Sequence, residues 1–200
     1  MASGGEWRLV EGMTAEQVTL HARCADLLVV GQEDPDGGPP FAGPVLERAL
    51  FSSGRPVLVV PHAGRFETVG RRVLLGWNAS REAARAANDA LPLMADAEVV
   101  TVLAVNFRRD QDGYGDAAES AEPGSDIALH FARHGLKAEV QHAVAPGLDA
   151  GDMLLNQAAD LSADLLVVGA YGHSRFREMV LGGVTRTLLR QMTVPVLMSH

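Results

Sequence analysis

The sequence predicts an α/β fold, a doubly wound parallel sheet with helices on both faces. Three observations carry this. The heptapeptide Ala25-Asp26-Leu27-Leu28-Val29-Val30-Gly31 recurs unchanged as Ala163-Asp164-Leu165-Leu166-Val167-Val168-Gly169. Its apolar stretch does not alternate with polar residues, which suits a strand covered on both faces. Strand-like and helix-like segments then take turns through the second half of the chain.

Trp7–Val10 is a strand candidate, and Thr14–Ala25 has a helical pattern with Thr14 placed to cap its start. Leu27–Val30 is the first copy of the buried strand. Asp34–Gly43 is a loop rich in Pro and Gly. Pro56-Val57-Leu58-Val59-Val60 is another apolar strand, and it recurs as Pro195-Val196-Leu197-Met198-Ser199 at a matched distance from the second heptapeptide. His62–Gly70 is a polar linker. Val73–Trp77 reads as a strand, the alanine-rich Arg81–Ala95 as a helix, and Val99–Val105 as a strand. Arg108–Gly124 is a loop of Asp, Gly and Glu. Asp126–His134 reads as a helix and Ala138–Val144 as a strand. Asp149–Leu161 carries Met153, Leu154, Ala158 and Leu161 at helical spacing before the strand Leu165–Val168. A last helix is expected from near Thr185 to about Met192.

Two copies of one unit follow from the repeat. Residues 70–200 read as a complete βαβαβαβαβ unit, and residues 1–69 as a partial one that lacks its first two strands and helices. The partial copy is expected either to be the tail of a longer repeat or to pack on the complete domain through Pro56–Val60.

Composition excludes several classes. The 200 residues carry a formal net charge of −8 and 5 % aromatics, so neither a basic grip on nucleic acid nor a stacking platform is expected. The same charge argues against anionic membranes, and no apolar run approaches the ~20 residues needed to span a bilayer. The N-terminus lacks the pattern of a secretory signal. The single cysteine, Cys24, points to a reducing compartment and is expected to be a partly buried structural thiol. A cytoplasmic protein is the expectation.

The chemistry concentrates after the second heptapeptide. Gly169 and Gly172 leave the strand, and Gly182-Gly183-Val184-Thr185 opens the last helix. Glycines at a strand-to-helix turn let backbone N–H groups approach phosphate oxygens, and the helix N-terminus adds partial positive charge. Taken as glycine chemistry alone, the pattern is equally that of turns and helix caps. It is neither a P-loop nor the dinucleotide fingerprint.

The set Gly169-x2-Gly172-x9-Gly182, with the flanking heptapeptide and the closing Thr193-Val194-Pro195-Val196-Leu197-Met198, resembles the universal stress protein family in its tandem form. The resemblance implies the adenine-nucleotide alpha hydrolase-like version of the fold and a stress-response regulator binding ATP or AMP. It implies nucleotide contacts from Asn78, Gly169, Gly172, Gly182, Gly183, Val184 and Thr185. Two positions depart from the family's binders: Gly183 stands where they have Ser or Thr, and Asn78 where they have an acid. The first copy reads Gln32-Glu33-Asp34-Pro35 after Gly31, and no nucleotide is expected there.

No catalytic role is assigned. Ser80 and Ser174 lack a paired base, and His130 with His134 lacks a third ligand, so neither an enzyme nor a resident metal is expected. His173 and the arginines 175, 177, 186 and 190 flank the glycine loop. The alternatives are an interaction module with an empty loop and, less favoured, a weak ATPase or adenylyl-transferring enzyme. Val194–His200 is apolar with no covering segment after it, and would expose unpaired backbone groups if it lay at a sheet edge. The resemblance implies that this strand pairs across a two-fold dimer or between tandem halves. A homodimer through this strand is expected, with pairing to Pro56–Val60 within one molecule as the alternative.

Overall fold

The computed structural model describes residues 4–34, 42–105, 122–144, 147, 149–170 and 183–200. Its elements run α1 (Thr14–Ala22), β1 (Leu28–Gly31), α2 (Ala42–Ser52), β2 (Val57–Val60), β3 (Arg72–Trp77), α3 (Arg81–Ala90), β4 (Val99–Val105), α4 (Ser125–Arg133), β5 (Ala138–Ala143), α5 (Ala150–Asp160), β6 (Leu165–Gly169), α6 (Gly183–Gln191) and β7 (Val196–Ser199). A 3₁₀ turn, Leu91–Met94, extends α3. The strands form one sheet in the order β1-β2-β7-β6-β3-β4-β5. Every pairing is parallel except that of β2 with β7. The doubly wound α/β fold read from the sequence is the fold observed.

Both faces of the central strands are covered, which is why β2 and Leu165–Val168 of β6 read as unbroken hydrophobic runs. On β3, Leu74 belongs to a core shared with Leu46, Leu154 and Leu188 of α2, α5 and α6. Its neighbours Val73 and Leu75 belong to a second core with Ala83, Ala86 and Phe131 of α3 and α4. In α3 the buried alanines 83, 86, 87 and 90 share one face, and their small side chains let the helix lie close on the sheet.

The repeat extends to the backbone. Leu28, Val29, Val30 and Gly31 pair with Val57, Leu58, Val59 and Val60. Their counterparts Leu166, Val167, Val168 and Gly169 pair with Val196, Leu197, Met198 and Ser199 in the same register. The end hydrogen bonds match as well: Leu28 N–H donates to Pro56 O as Leu166 N–H donates to Pro195 O.

Several expectations are corrected. Trp7–Val10 forms no strand, and Trp7 and Leu9 are exposed. Among the described residues no strand lies beyond β1 at that margin of the sheet to hold Trp7–Val10. Thr14 does not cap α1; Met13 occupies that position and makes no side-chain cap. Cys24 is exposed rather than partly buried, because it lies in the turn after α1. The C-terminal strand is not an edge. β7 has β6 on one side and β2 on the other, so the pairing expected to join two chains through Val194–His200 is made within one chain. No helix among the described residues is long and apolar enough to cross a membrane.

Candidate functional site

Strand order reverses at β3. Its chain neighbour β4 lies on one side and β6 on the other, and the Gly76–Val168 pairing sets the carboxyl ends of β3 and β6 side by side. The chain leaves β3 for α3 on one face and leaves β6 toward α6 on the other. Such a switch point leaves a crevice outside the strand ends, the usual ligand position in this architecture.

The β3 exit is tightly built. The Asn78 side-chain oxygen accepts from Ser80 N–H at 3.1 Å, and Ser80 Oγ accepts from Ala83 N–H at 3.1 Å, capping α3. Between them Ala79 sits at φ 59°, a left-handed conformation that a non-glycine residue rarely adopts. Strain of this kind gathers at ligand sites. Ser80 thus has a structural task as the helix cap. Among the described residues no acceptor for the Asn78 amide N–H is found.

The β6 exit is packed rather than open. A Cβ on Gly169 would lie 2.4 Å from Ala83 N, so this glycine exists to admit the first turn of α3. Ala170 N–H donates to Ser199 O at 2.8 Å, which fixes the chain as it leaves the sheet.

At the start of α6, Gly183 is exposed and Val184 is partly so, while Thr185 is buried at 4 %. The sequence reading sets the Thr185 hydroxyl beside the loop, whose residues 171–182 lie outside the described ones. Gly172 and Gly182 lie outside the described residues, as do His173, Ser174, Arg175 and Arg177. Arg186 and Arg190 are exposed on α6. Asn78, Gly169 and Gly183 therefore sit on the switch-point end of the sheet or on the helix it feeds.

Two acids at this end escape sequence reasoning. Asp149 caps α5, its Oδ1 accepting from Gly151 N–H at 2.6 Å. Its other oxygen is 3.7 Å from where a Gly183 Cβ would stand. Glu82, in the first turn of α3, is only 5 % exposed. Burial pushes its carboxyl up, but the Arg81 hydrogen bond, its own backbone N–H, the Arg81 charge and the Ser80 hydroxyl together hold it below the ordinary 4.5. An Asp just before a helical run is a readable cap signal, although its approach to α6 is not. Nothing in the sequence marks Glu82 as buried. His130 and His134 meet edge to face at 4.7 Å, and among the described residues no three His, Cys, Asp or Glu converge as metal ligands.

Known proteins share this architecture. A family model described as the universal stress protein family matches residues 70–200. Universal stress protein Slr1230 of Synechocystis is 28 % identical over 155 residues, covering 78 % of this chain and 50 % of that protein. The chain thus spans about half the length of the curated relative it matches. A universal stress protein structure from Archaeoglobus fulgidus DSM 4304 superposes with a TM-score of 0.66 at 19 % identity, over 92 % of this chain and 64 % of that one. A functionally unknown protein from Pseudomonas aeruginosa PAO1 superposes with a TM-score of 0.63 at 16 % identity, over 95 % of this chain and 68 % of that one. At such identities the two structures speak to the fold.

Proposed function

Because this chain belongs to the universal stress protein family, we propose that it is a cytoplasmic stress-response regulator that binds an adenine nucleotide at the switch point of its sheet. The carrying observation is the adjacent carboxyl ends of β3 and β6 together with the exposed N-terminus of α6 at Gly183. Asn78 supplies a donor for the base or sugar, and the α6 N-terminus faces the phosphates, with Gly172 and Gly182 completing the loop. The protein acts by binding rather than turnover. Ligand that favours one conformation stabilises it by mass action, and this would be the signal passed on.

The residues fit such a ligand unequally. The Asn78 amide and the exposed Gly183 suit a nucleotide with its phosphates toward α6. Asp149 beside Gly183 and the missing hydroxyl there weaken the phosphate end, since like charges at close range repel. These same features support a second reading, an interaction module whose loop carries no nucleotide.

Residues 1–69 we read as the last α-β-α-β segment of a first repeat, on the strength of the matched register of β1–β2 and β6–β7. Calorimetric titration with ATP, AMP and adenosine tests the binding reading, with mass spectrometry of small molecules released from the purified protein. One adenine nucleotide bound per chain supports it. No heat with any of the three, and no nucleotide released, leaves the interaction module.

A further inference from the structure

An orphaned donor stands at the end of β3. Trp77 is only 8 % exposed, and among the described residues its Nε1–H has no acceptor. His130 Nε2 and Ser199 Oγ are also buried without described partners, but an imidazole nitrogen and a hydroxyl can each serve as donor or acceptor. An indole nitrogen only donates. Folded proteins rarely keep such a group unpaired, because burial strips away its water and puts nothing in its place.

The indole lies against the start of α4. Trp77 pairs with Ala104 of β4, and β4 pairs in turn with β5. Gly124, the residue that precedes α4, is buried on this surface at φ 88°. A Cβ on Gly124 would meet Val102 Cγ1 at 3.0 Å, Val140 Cγ1 at 3.5 Å and Trp77 Cδ1, the atom bonded to the orphaned nitrogen, at 3.6 Å. Glycine therefore brings the helix start and the N–H edge of the indole together. The helix start is itself short of acceptors, since Gly124 provides no side-chain cap. Ser125 N–H donates to Glu122 O and Ala128 N–H to Gly124 O, but no described group accepts from Asp126 N–H or Ile127 N–H. A buried side-chain donor thus adjoins the uncapped, positively polarised end of a nine-residue helix.

We propose that Trp77 Nε1 and the α4 N-terminus form a seat for the carboxylate of a small organic acid. Two oxygens in one plane can serve the indole and the helix donors at once. Val102 and Val140 adjoin the seat and suit a short apolar tail. Acids on the same turn limit the charge it takes. Glu122 is held 3.0 Å from His142 Nε2, and Asp126 is exposed in the first turn of α4. Carboxylates so placed disfavour a dianion such as phosphate more than a monoanion. The seat lies on the sheet face covered by α3 and α4, whereas α6 of the nucleotide crevice covers the opposite face.

Trp7 and Trp77 are the two tryptophans, and Trp7 is 89 % exposed, so Trp7→Phe leaves Trp77 as the one tryptophan reporter. The probe is sodium butyrate titrated into this variant of the full chain, with chloride holding the ionic strength constant. A saturable shift of emission is expected as the indole N–H gains an acceptor. By calorimetry with butyrate, Trp77→Phe should weaken binding about tenfold or more. Asp126→Asn should strengthen it several-fold. Circular dichroism and thermal melts check the folding of Trp77→Phe, while Asp126→Asn alters an exposed side chain and tests the seat with the core untouched. Butyrate that produces no saturable change overturns the proposal, as does binding unmoved by both substitutions or phosphate that binds as tightly. Butyrate displaced by ATP overturns a seat separate from the nucleotide crevice.

Discussion

Gly169 lies directly beneath Ala83: a Cβ at Gly169 would stand 2.4 Å from the Ala83 backbone nitrogen and 2.6 Å from the Glu82 carbonyl carbon. The first glycine of the loop therefore lets α3 dock on β6, whereas at Gly183 the same added atom would meet, among the described residues, Asp149 Oδ2 at 3.7 Å. Two glycines of one motif do different work. We expect Gly169→Ala to destabilise the protein by about 1–3 kcal/mol through overpacking against backbone. Gly183→Ala should leave stability unchanged or slightly raised, since alanine is the better helix former. Urea melts of the two variants check this; equal losses would show that packing does not distinguish them.

A second expectation concerns Asp164. Burial pushes its carboxyl up, but hydrogen bonds from Thr68 and the backbone N–H groups of Arg72, Arg71 and Gly70 outweigh this and hold it below 3.8. A carboxyl with a lowered folded-state value stabilises the fold above its unfolded value, and that contribution fades as pH falls through the folded value. Asp164→Asn should therefore cost about 0.5–1.5 kcal/mol near neutral pH, from weakened bonds to the backbone N–H groups of Gly70, Arg71 and Arg72. The gap to wild type should narrow as pH drops below 3.8. A gap of constant size across that range would mean the carboxylate charge is not what joins β6 to the entry of β3.

Strain at the switch point is testable on its own. Ala79 at φ 59° and Ser162 at φ 49° are the non-glycine residues in the left-handed region among the described ones. Ser162 follows the C-cap of α5, where Ala163 N–H reaches back to Ala158 O, a helix ending that favours glycine. Glycine removes the Cβ conflict but frees the unfolded chain, so each replacement should gain about 0.5–1 kcal/mol. Chemical denaturation measures both. If the strain at Ala79 orients Asn78 for ligand, Ala79→Gly should also weaken nucleotide binding, whereas Ser162→Gly should not.

For the nucleotide reading, Gly183→Ser with Asn78→Asp restores the residue types of the family's binders. The carboxylate that Asn78→Asp introduces can still accept from Ser80 N–H, so the turn survives. A hydroxyl bond to a charged phosphate is worth about 1.5–3 kcal/mol. Against that stands Asp149, near enough to Gly183 to compete for the new hydroxyl. A several-fold gain in ATP affinity is the expected net result by calorimetry, and adding Asp149→Asn should enlarge it. Affinity unmoved by both would place the ligand elsewhere or nowhere.

Legibility in the sequence follows the physics of each element. β4 is legible to the residue, Val99–Val105, because a strand buried on both faces needs an apolar run, broken here only by Thr101, and polar residues bound it. The repeat discloses the shared tail of both copies without any geometry. Trp7–Val10 fails because strand pattern is a statement about neighbours, and no described strand lies beside it. Asp149 and Glu82 are unreadable as site residues, since their place depends on how α5 and α3 approach the loop across the sheet. β7 misleads for a related reason: its sequence suits an edge, but the choice of partner between β2 and another chain is tertiary.

That choice can be reversed. Val196, Leu197 and Met198 are 0 % exposed because β2 pairs antiparallel to β7 and α2 covers the adjoining core. A fragment of residues 70–200 keeps β3 to β7 and the match to the family model but loses β1, β2 and α2. Its β7 would then present unpaired N–H and C=O groups beside exposed Leu188, Met192 and Val194, which now share a core with Leu46 and Leu50. β2 meets β7 antiparallel, and β7 of a second fragment can offer the same apolar, antiparallel edge across a two-fold axis. We therefore expect the fragment to dimerise at concentrations where the full chain shows no association through β7. Sedimentation velocity on both decides it. A fragment that stays a folded monomer would show that β7 does not depend on a strand partner, and residues 1–69 would lose their role as the cover of that edge.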